Sequence, residues 1–204
     1  MRRRTLWIAL VLLLVAGAGV YGVVLIHHGF SARDEPSAIE AWTARRVRRL
    51  AIPSDAKDLK NPEPRSPDGL HEGMQHFADH CAMCHANDGS GNTEIGRNLY
   101  PKAPDMRAAQ TQNLTDGEIY YIIQNGIRLS GMPAWGKAGD PNDEESWNLV
   151  YFIRHLPSLT SEEEQQMKQW NPVSPSEVKS DKEEEEFLEG GAAKPHSQKH
   201  SQPK

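Results

Sequence analysis

Cys81, Cys84 and His85 are the residues of this sequence whose types and spacing point most directly to chemistry. The two cysteines stand three positions apart, and the histidine directly follows the second. Thiols one helical turn apart can add to the two vinyl groups of a single porphyrin, and the imidazole can then reach the iron from the same side. This spacing is the attachment signature of a c-type haem.

A Cys-x-x-Cys pair has two other common uses, a structural zinc site and a redox dithiol. A structural zinc site needs a second pair of ligands with its own spacing, and the 204 residues contain no further cysteine for it or for a disulfide. A redox dithiol of the thioredoxin type stands in a βαβ context, and this sequence shows no run of β-branched residues typical of strands. The pattern therefore favours one covalent haem with His85 as its proximal iron ligand.

Met132 is the strongest candidate for the sixth iron ligand. It stands in a Gly-Met-Pro loop, between a flexible residue and a rigid one, and a thioether sulfur suits haem iron. Met74 precedes the attachment motif and Met83 lies within it, so we expect both on the proximal side. Met106 is a weaker candidate. The alternative role for such a methionine is packing in the hydrophobic core.

Three helices are predicted around these residues. One spans residues 69–80 and leads into the cysteines, and another spans residues 143–156, has an aromatic apolar side and is followed by a proline. Between them, Thr115 followed three residues later by Glu118 is a capping box, which predicts the start of the third helix.

Gly73 on the first of these helices predicts a close helix crossing. It shares a helix face with Phe77, and a glycine allows a second backbone to approach. We expect the two residues to pack against Phe152 or Tyr151 of the last helix. The alternative is that Gly73 only weakens a surface helix.

The N-terminus predicts a membrane helix. Three arginines at positions 2–4 precede an apolar run over residues 6–26, which as a helix would span roughly 30 Å, about one hydrocarbon core. The arginines should stay in the cytoplasm, which places the rest of the chain outside it. A cleaved signal peptide with a small-residue site at 16–18 is the rival interpretation, and the length of the run favours an anchor.

Composition predicts one small folded domain between the membrane segment and a tail. Hydrophobic residues make up 37% and charged residues 25% of the chain, and the net charge of −5 argues against general nucleic-acid binding. The predicted division is an anchor at 1–29, a basic helix and Pro-rich linker at 30–68, a haem domain at 69–159, and an acidic, largely disordered tail at 160–204.

The linker and the tail each allow two interpretations. Residues 37–50 predict a basic helix that either contacts anionic lipid or a partner, or serves as a solvated spacer. The prolines that follow predict an extended, stiff segment. In the tail, His196 and His200 could bind a transition metal weakly, and the alternative is a solvated tail with no ligand.

These features together resemble a class I cytochrome c over residues 69–156. The resemblance rests on the attachment motif, the Gly73 helix, the Gly-Met-Pro loop and the aromatic last helix. It extends to small haem domains of bacterial respiratory chains, including cytochrome subunits of some haem–copper oxidases. It implies an all-α cytochrome c fold, three to four helices wrapped around one covalent haem whose edge is exposed.

One segment departs from that family. Many members carry Gly-Pro-Asn-Leu, in which the proline carbonyl accepts a hydrogen bond from the proximal histidine. Here residues 96–99 read Gly-Arg-Asn-Leu. We expect the backbone carbonyl of Arg97, or one nearby, to take that role, because any acceptor that orients the imidazole suffices.

The resemblance implies one-electron transfer by one haem c, with Cys81, Cys84, His85 and Met132 as the cofactor-binding residues and the last two as iron ligands. It implies a carrier that is not itself catalytic, on the periplasmic side of a bacterial inner membrane. The expected partners are an oxidase, a reductase, a quinol-oxidising complex or a dehydrogenase, and no nucleic acid.

Two other functions depend on the sixth iron position. A peroxidase-like enzyme needs an open position with acid or base groups beside it, and a haem-based sensor needs a displaceable Met132. His71, His76 and His80 are near the motif in sequence. They precede the attachment loop, so we expect them on a helix face away from the distal side.

Overall fold

The structure is a computed structural model that describes residues 2–28, 31–62, 65–137, 139–173, 180 and 182–185. Within these residues the labelled elements are helices and no strand occurs, as the sequence predicted. The elements are α1 (Arg2–His28), α2 (Ala38–Ala51), α3 (Ser54–Asp58), α4 (Pro67–His76), α5 (Ala82–His85), α6 (Glu94–Asn98), α7 (Ala109–Gln112), α8 (Asp116–Asn125), α9 (Glu144–His155) and α10 (Ser161–Met167).

The N-terminal helix is long and apolar enough to cross a membrane. The candidate span covers residues 3–27, and none of it is buried against the rest of the chain. At 1.5 Å per residue, 25 residues give a length of about 37 Å, enough for a hydrocarbon core with some tilt. The prediction of an N-terminal helix that is long and apolar enough to span a membrane is confirmed.

The centre of the domain is the crossing of α4 and α9. Asn148 and Phe152 on α9 lie so close to Gly73 that a Cβ built there would come within 2.1 Å of the Asn148 carbonyl oxygen. Beside it, the rings of Phe77 and Phe152 are 5.0 Å apart and both are fully buried. The expected contact with Phe152 is confirmed, and the need for close approach explains the glycine.

Helix α8 closes the core on another side. Its first turn has the predicted capping box, in which the Thr115 side chain accepts from the Glu118 N–H and the Glu118 carboxylate accepts from the Thr115 N–H. Farther along, Tyr120 stacks on Trp147 of α9 with ring centroids 4.1 Å apart. The local signal fixed where the helix begins, and aromatic packing holds it in place.

The linker is partly helical and packs on the domain. Ile52 and Ala56 are buried, and a Cβ on Gly117 would come within 2.0 Å of the Ala56 carbonyl oxygen. The Thr115 hydroxyl donates to the Lys57 carbonyl at 2.9 Å. The prediction of an extended segment is therefore wrong for residues 54–58, because Ala56, together with Leu59 directly after the helix, packs against α8 at Gly117.

The chain after α9 also packs on the domain for about twelve residues. Thr160 and Glu163 form a second capping box at the start of α10, and Met167 is fully buried. The Asn171 side chain donates to the Ala78 carbonyl at 2.9 Å. The far end of the tail, with His196 and His200, lies outside the described residues.

Candidate haem site

The attachment motif lies where α4 changes its winding. Residues 77–81 form a π-helical turn, and the chain returns to α-helix as α5, which ends with His85. Both Cys81 and Cys84 are half-buried free thiols. The predicted helix into the motif is confirmed, and π-helical turns of this kind are frequent at functional sites.

Burial keeps both thiols protonated. It raises the pKa of Cys81 to about 12, with a further contribution from the neighbouring Cys84, and it also raises the pKa of Cys84. Redox-active Cys-x-x-Cys pairs have a lowered pKa on the attacking thiol. The environment therefore argues against a redox dithiol.

The imidazole of His85 is buried and neutral. Burial lowers its pKa to about 4, and the backbone of Pro104 opposes that shift by hydrogen bonding. Only 8% of the residue is exposed. A neutral imidazole is the form that ligates a metal, so the side chain is in the state an iron ligand needs.

The carbonyl that supports His85 comes from a different residue than the one expected. Pro104 supplies the backbone interaction, and it is looser than a standard hydrogen bond, because among the described residues no partner meets that geometry at Nδ1. The expectation of Arg97 is corrected. The Ala-Pro-Asp-Met run at 103–106 contains this proline, but only the folding of the intervening loop brings its carbonyl beside His85.

The loop between the motif and Met106 is tied to it by backbone hydrogen bonds. The Gly91 N–H donates to the His85 carbonyl at 2.8 Å, and the Ala103 N–H donates to the Gly96 carbonyl at 3.0 Å. A Cβ on Gly96 would come within 2.2 Å of the Cys84 carbonyl oxygen. These contacts bring Pro104 back beside the imidazole.

The structure separates Met132 from its three competitors. Met74 and Met106 are buried in the hydrophobic core, and Met83 is half exposed within the attachment motif. Met132 is half-buried in its loop, where its carbonyl accepts from the Ile127 N–H at 3.0 Å. Of the four candidate methionines, Met132 is thus the one that is neither a core residue nor part of the motif. Its role as a ligand stays a prediction.

Apolar side chains are exposed on the segments next to the motif. Ile95 lies on α6, beside Gly96, and Leu129 and Trp135 flank the methionine loop; all three are exposed. The Trp135 ring also contacts the His80 ring, with centroids 5.4 Å apart. Exposed apolar side chains on α6 and on the methionine loop, together with two free thiols and a buried imidazole, fit a porphyrin, which would cover them.

The three histidines before the motif contact neighbouring aromatic rings or each other. His71 contacts Trp170 with ring centroids 5.2 Å apart, and His76 contacts His80 at 4.8 Å. His80 was expected on a helix face away from the distal side. Its contact with Trp135 instead brings the end of the π-helical turn to the loop after Met132. Within the described residues, no group of three or more histidine, cysteine or acidic side chains could hold a metal ion.

Comparison with known proteins agrees with this geometry. The family model for subunit III of cbb3-type cytochrome c oxidase matches residues 68–153. Residues 68–153 form a c-type cytochrome domain. The match covers both cysteines and His85, Met132 and nearly all of α4 to α9, so the predicted fold class and resemblance are confirmed, and the cytochrome domain carries haem c.

Curated relatives of the cytochrome domain are oxidase subunits. The cbb3-type cytochrome c oxidase subunit FixP of Sinorhizobium medicae is 37% identical over 95 residues, 46% of this chain and 29% of that protein. FixPc of Rhizobium leguminosarum bv. viciae is 36% identical over 95 residues, 46% of this chain and 30% of that protein. FixP of Azorhizobium caulinodans is 29% identical over 109 residues. The chain spans under a third of the length of these relatives.

These relatives correct one expectation. The sequence predicted an electron carrier that is not itself catalytic, yet the proteins that resemble the cytochrome domain are named as subunits of an oxidase, which is an enzyme. Their names thereby place such domains within a catalytic assembly. The sequence did not indicate an enzyme subunit because a haem domain carries no catalytic side chains of its own.

Proposed function

We propose that this protein transfers single electrons through one haem c, held by thioethers from Cys81 and Cys84 and ligated by His85 and Met132. The observation that carries the proposal is the buried imidazole of His85 directly after two free cysteines, Cys81 and Cys84. One haem is proposed because the sequence holds no other cysteine.

The chain's own residues would set the properties of the site. A bound haem c supplies a one-electron ferric–ferrous couple. Burial of His85 keeps its lone pair available and excludes water, and the carbonyl of Pro104 orients the ring. The soft sulfur of Met132 would favour the reduced metal and raise the potential. If His85 and Met132 both ligate the iron, no position is left for a substrate, which favours electron transfer.

The proposed electron acceptor is a membrane-bound cytochrome c oxidase of the cbb3 type. Support comes from the family model and from the printed names of the relatives. The membrane helix α1 would hold the cytochrome domain beside such a complex. The proposed side is the periplasmic side of the inner membrane, because arginines such as those at 2–4 favour the cytoplasmic end of a membrane helix. The haem-bearing unit is proposed at residues 69–159, between the linker at 30–68 and the tail.

Absorption spectra of the full-length protein test the ligands. The oxidised wild type should show the weak far-red band that methionine sulfur gives to ferric haem, and Met132→Ala should lose it. Met83→Ala is the control, because Met83 is half exposed and outside the core, and it should keep the band. A wild type without the band, with high-spin features and ready carbon monoxide binding, would refute the proposed ligation.

Mixing the reduced protein with a purified cbb3-type oxidase tests the acceptor. Rapid, oxygen-dependent oxidation of the haem is expected. Slow oxidation by that enzyme, with the methionine band intact, would reject the oxidase as partner and leave electron transfer standing. The mass of the mature protein tests the anchor, since signal cleavage near residues 16–18 would remove most of α1.

A further inference from the structure

Helix α2 presents an apolar face to solvent. Ile39, Trp42, Val47 and Leu50 are exposed, and Ile39 and Leu50 are exposed to 79% and 82%. At about 100° per residue, these four side chains fall within one arc of roughly 140° around the helix axis and so form one broad stripe. An exposed stripe of this kind marks a surface that contacts another apolar phase.

The other side of α2 is already packed against the domain. Arg45 and Arg48 are half-buried there, the guanidinium of Arg49 lies 3.5 Å from the buried Glu118 of α8, and Glu40 accepts from the hydroxyl of Tyr100. These contacts set the rotation of the helix about its axis. The apolar stripe therefore points away from the domain, and in the described part of the chain nothing covers it.

Cationic side chains lie within the stripe, at Arg46, and at its border, at Arg49. Between residues 37 and 57 the sequence has four arginines and one lysine against two acidic residues. The guanidinium of Arg46 is exposed and lies over the Trp42 ring, 5.6 Å from its centroid. Arg46, Arg49 and Lys57 also line an open cavity of about 470 Å³ between α2 and α8. A partner for this face should be apolar and negatively charged.

The membrane is within reach of this face. Eight residues separate the end of α1 at His28 from the N-cap of α2 at Ser37. A chain of that length spans at most about 30 Å when fully extended. Any bilayer that holds α1 is therefore a short distance from the stripe, whereas a soluble partner would have to compete with it.

We propose that the exposed face of α2 lies on the bilayer that holds α1, with its apolar stripe at the acyl boundary and Arg46 among anionic headgroups. Through the contacts of α2 and α3 with α8, this would hold the cytochrome domain at the membrane surface in one orientation. The proposal depends on α1 remaining in the chain, which the mass of the mature protein tests separately.

Photo-cross-linking of the full-length haem protein in nanodiscs tests the proposal. A benzophenone amino acid replaces Thr43, an exposed residue within the stripe, and in a matched protein it replaces Gln166, an exposed residue of α10. Discs contain phosphatidylcholine alone or mixed with phosphatidylglycerol. We expect lipid adducts from position 43, more of them with phosphatidylglycerol, and few from position 166.

Two variants separate the apolar from the charged contribution. Ile39→Ser with Leu50→Ser should remove most lipid adducts in both kinds of disc, while the haem spectrum stays unchanged because both side chains are exposed. Arg46→Gln should reduce adducts roughly fivefold in phosphatidylglycerol discs only, since one cation near an anionic surface contributes about that factor. Lys168→Gln on the α10 side is the control and should change neither.

Three results would overturn the proposal. Equal lipid labelling from positions 43 and 166 would mean that proximity to the disc alone decides the yield. Labelling that does not respond to phosphatidylglycerol or to Arg46→Gln would exclude anionic headgroups. In native membranes, adducts from position 43 to a protein in place of lipid would identify the face as a protein interface.

Discussion

Replacing Gly73 with alanine should destabilise the domain by separating α4 from α9. The new Cβ would lie 2.1 Å from the Asn148 carbonyl oxygen, whereas ordinary contact begins near 3.4 Å, and a second contact at 3.2 Å would involve the Phe152 Cβ. The obstructing atom is backbone, so the helices must move apart by about 1 Å or more. Overpacking costs about 1–3 kcal/mol, and a backbone obstacle that cannot rotate away puts this site in the upper part of that range, about 2–3 kcal/mol.

Part of that cost is offset, because alanine favours a helix over glycine by about 1 kcal/mol. We expect a net loss of roughly 1–2 kcal/mol, which for a domain of this size lowers the Tm by roughly 5–15 °C. Circular dichroism of the haem-bound protein during heating measures it. The haem spectrum at low temperature should stay unchanged, since the covalent attachment remains.

Gly69→Ala on the same helix is the matched control. Its Cβ would meet the side-chain Oδ1 of Asn148 at 2.8 Å, and a side-chain end can rotate away where a carbonyl cannot. Its stability should stay within about 1 kcal/mol of the wild type. The reasoning fails if Gly73→Ala unfolds at the wild-type temperature, or if both variants lose the same amount.

Three further predictions concern the core and the helix ends, and thermal or urea denaturation measures each. Phe152→Ala should lower the free energy of unfolding by about 3–5 kcal/mol, because the ring is fully buried against Phe77. A smaller loss would contradict this and would mean that neighbouring side chains fill the cavity. Loss of a capping hydroxyl should lower the free energy of unfolding by about 1 kcal/mol. Thr115→Ala should lower it further than Thr160→Ala does, since the Thr115 hydroxyl also donates to the linker carbonyl of Lys57; equal losses would contradict this. Burial, then a nearby histidine, lowers the pKa of His76 below its ordinary 6.5. The unfolded chain therefore binds its proton first as the pH falls, so stability should decline below pH 6.5, and His76→Asn should flatten that decline; an unchanged slope would refute it.

Much of the cytochrome domain was predictable because its signals are local. The attachment motif needs only three residue positions, and the capping box at Thr115 specifies a helix start within four residues. Gly73 and Phe77 share a face by helical periodicity, which made the aromatic crossing with Phe152 predictable as well. In each case the physical cause acts within one or two turns of chain.

The sequence by itself therefore determined the cofactor chemistry, the helical class and the membrane helix of this protein. Only the tertiary structure decided which carbonyl supports His85, that residues 54–58 pack as a helix on α8, and which side of α2 faces solvent. These features depend on contacts between residues far apart in the chain. No local pattern encodes them, because their energy comes from surfaces that exist only after the helices have packed.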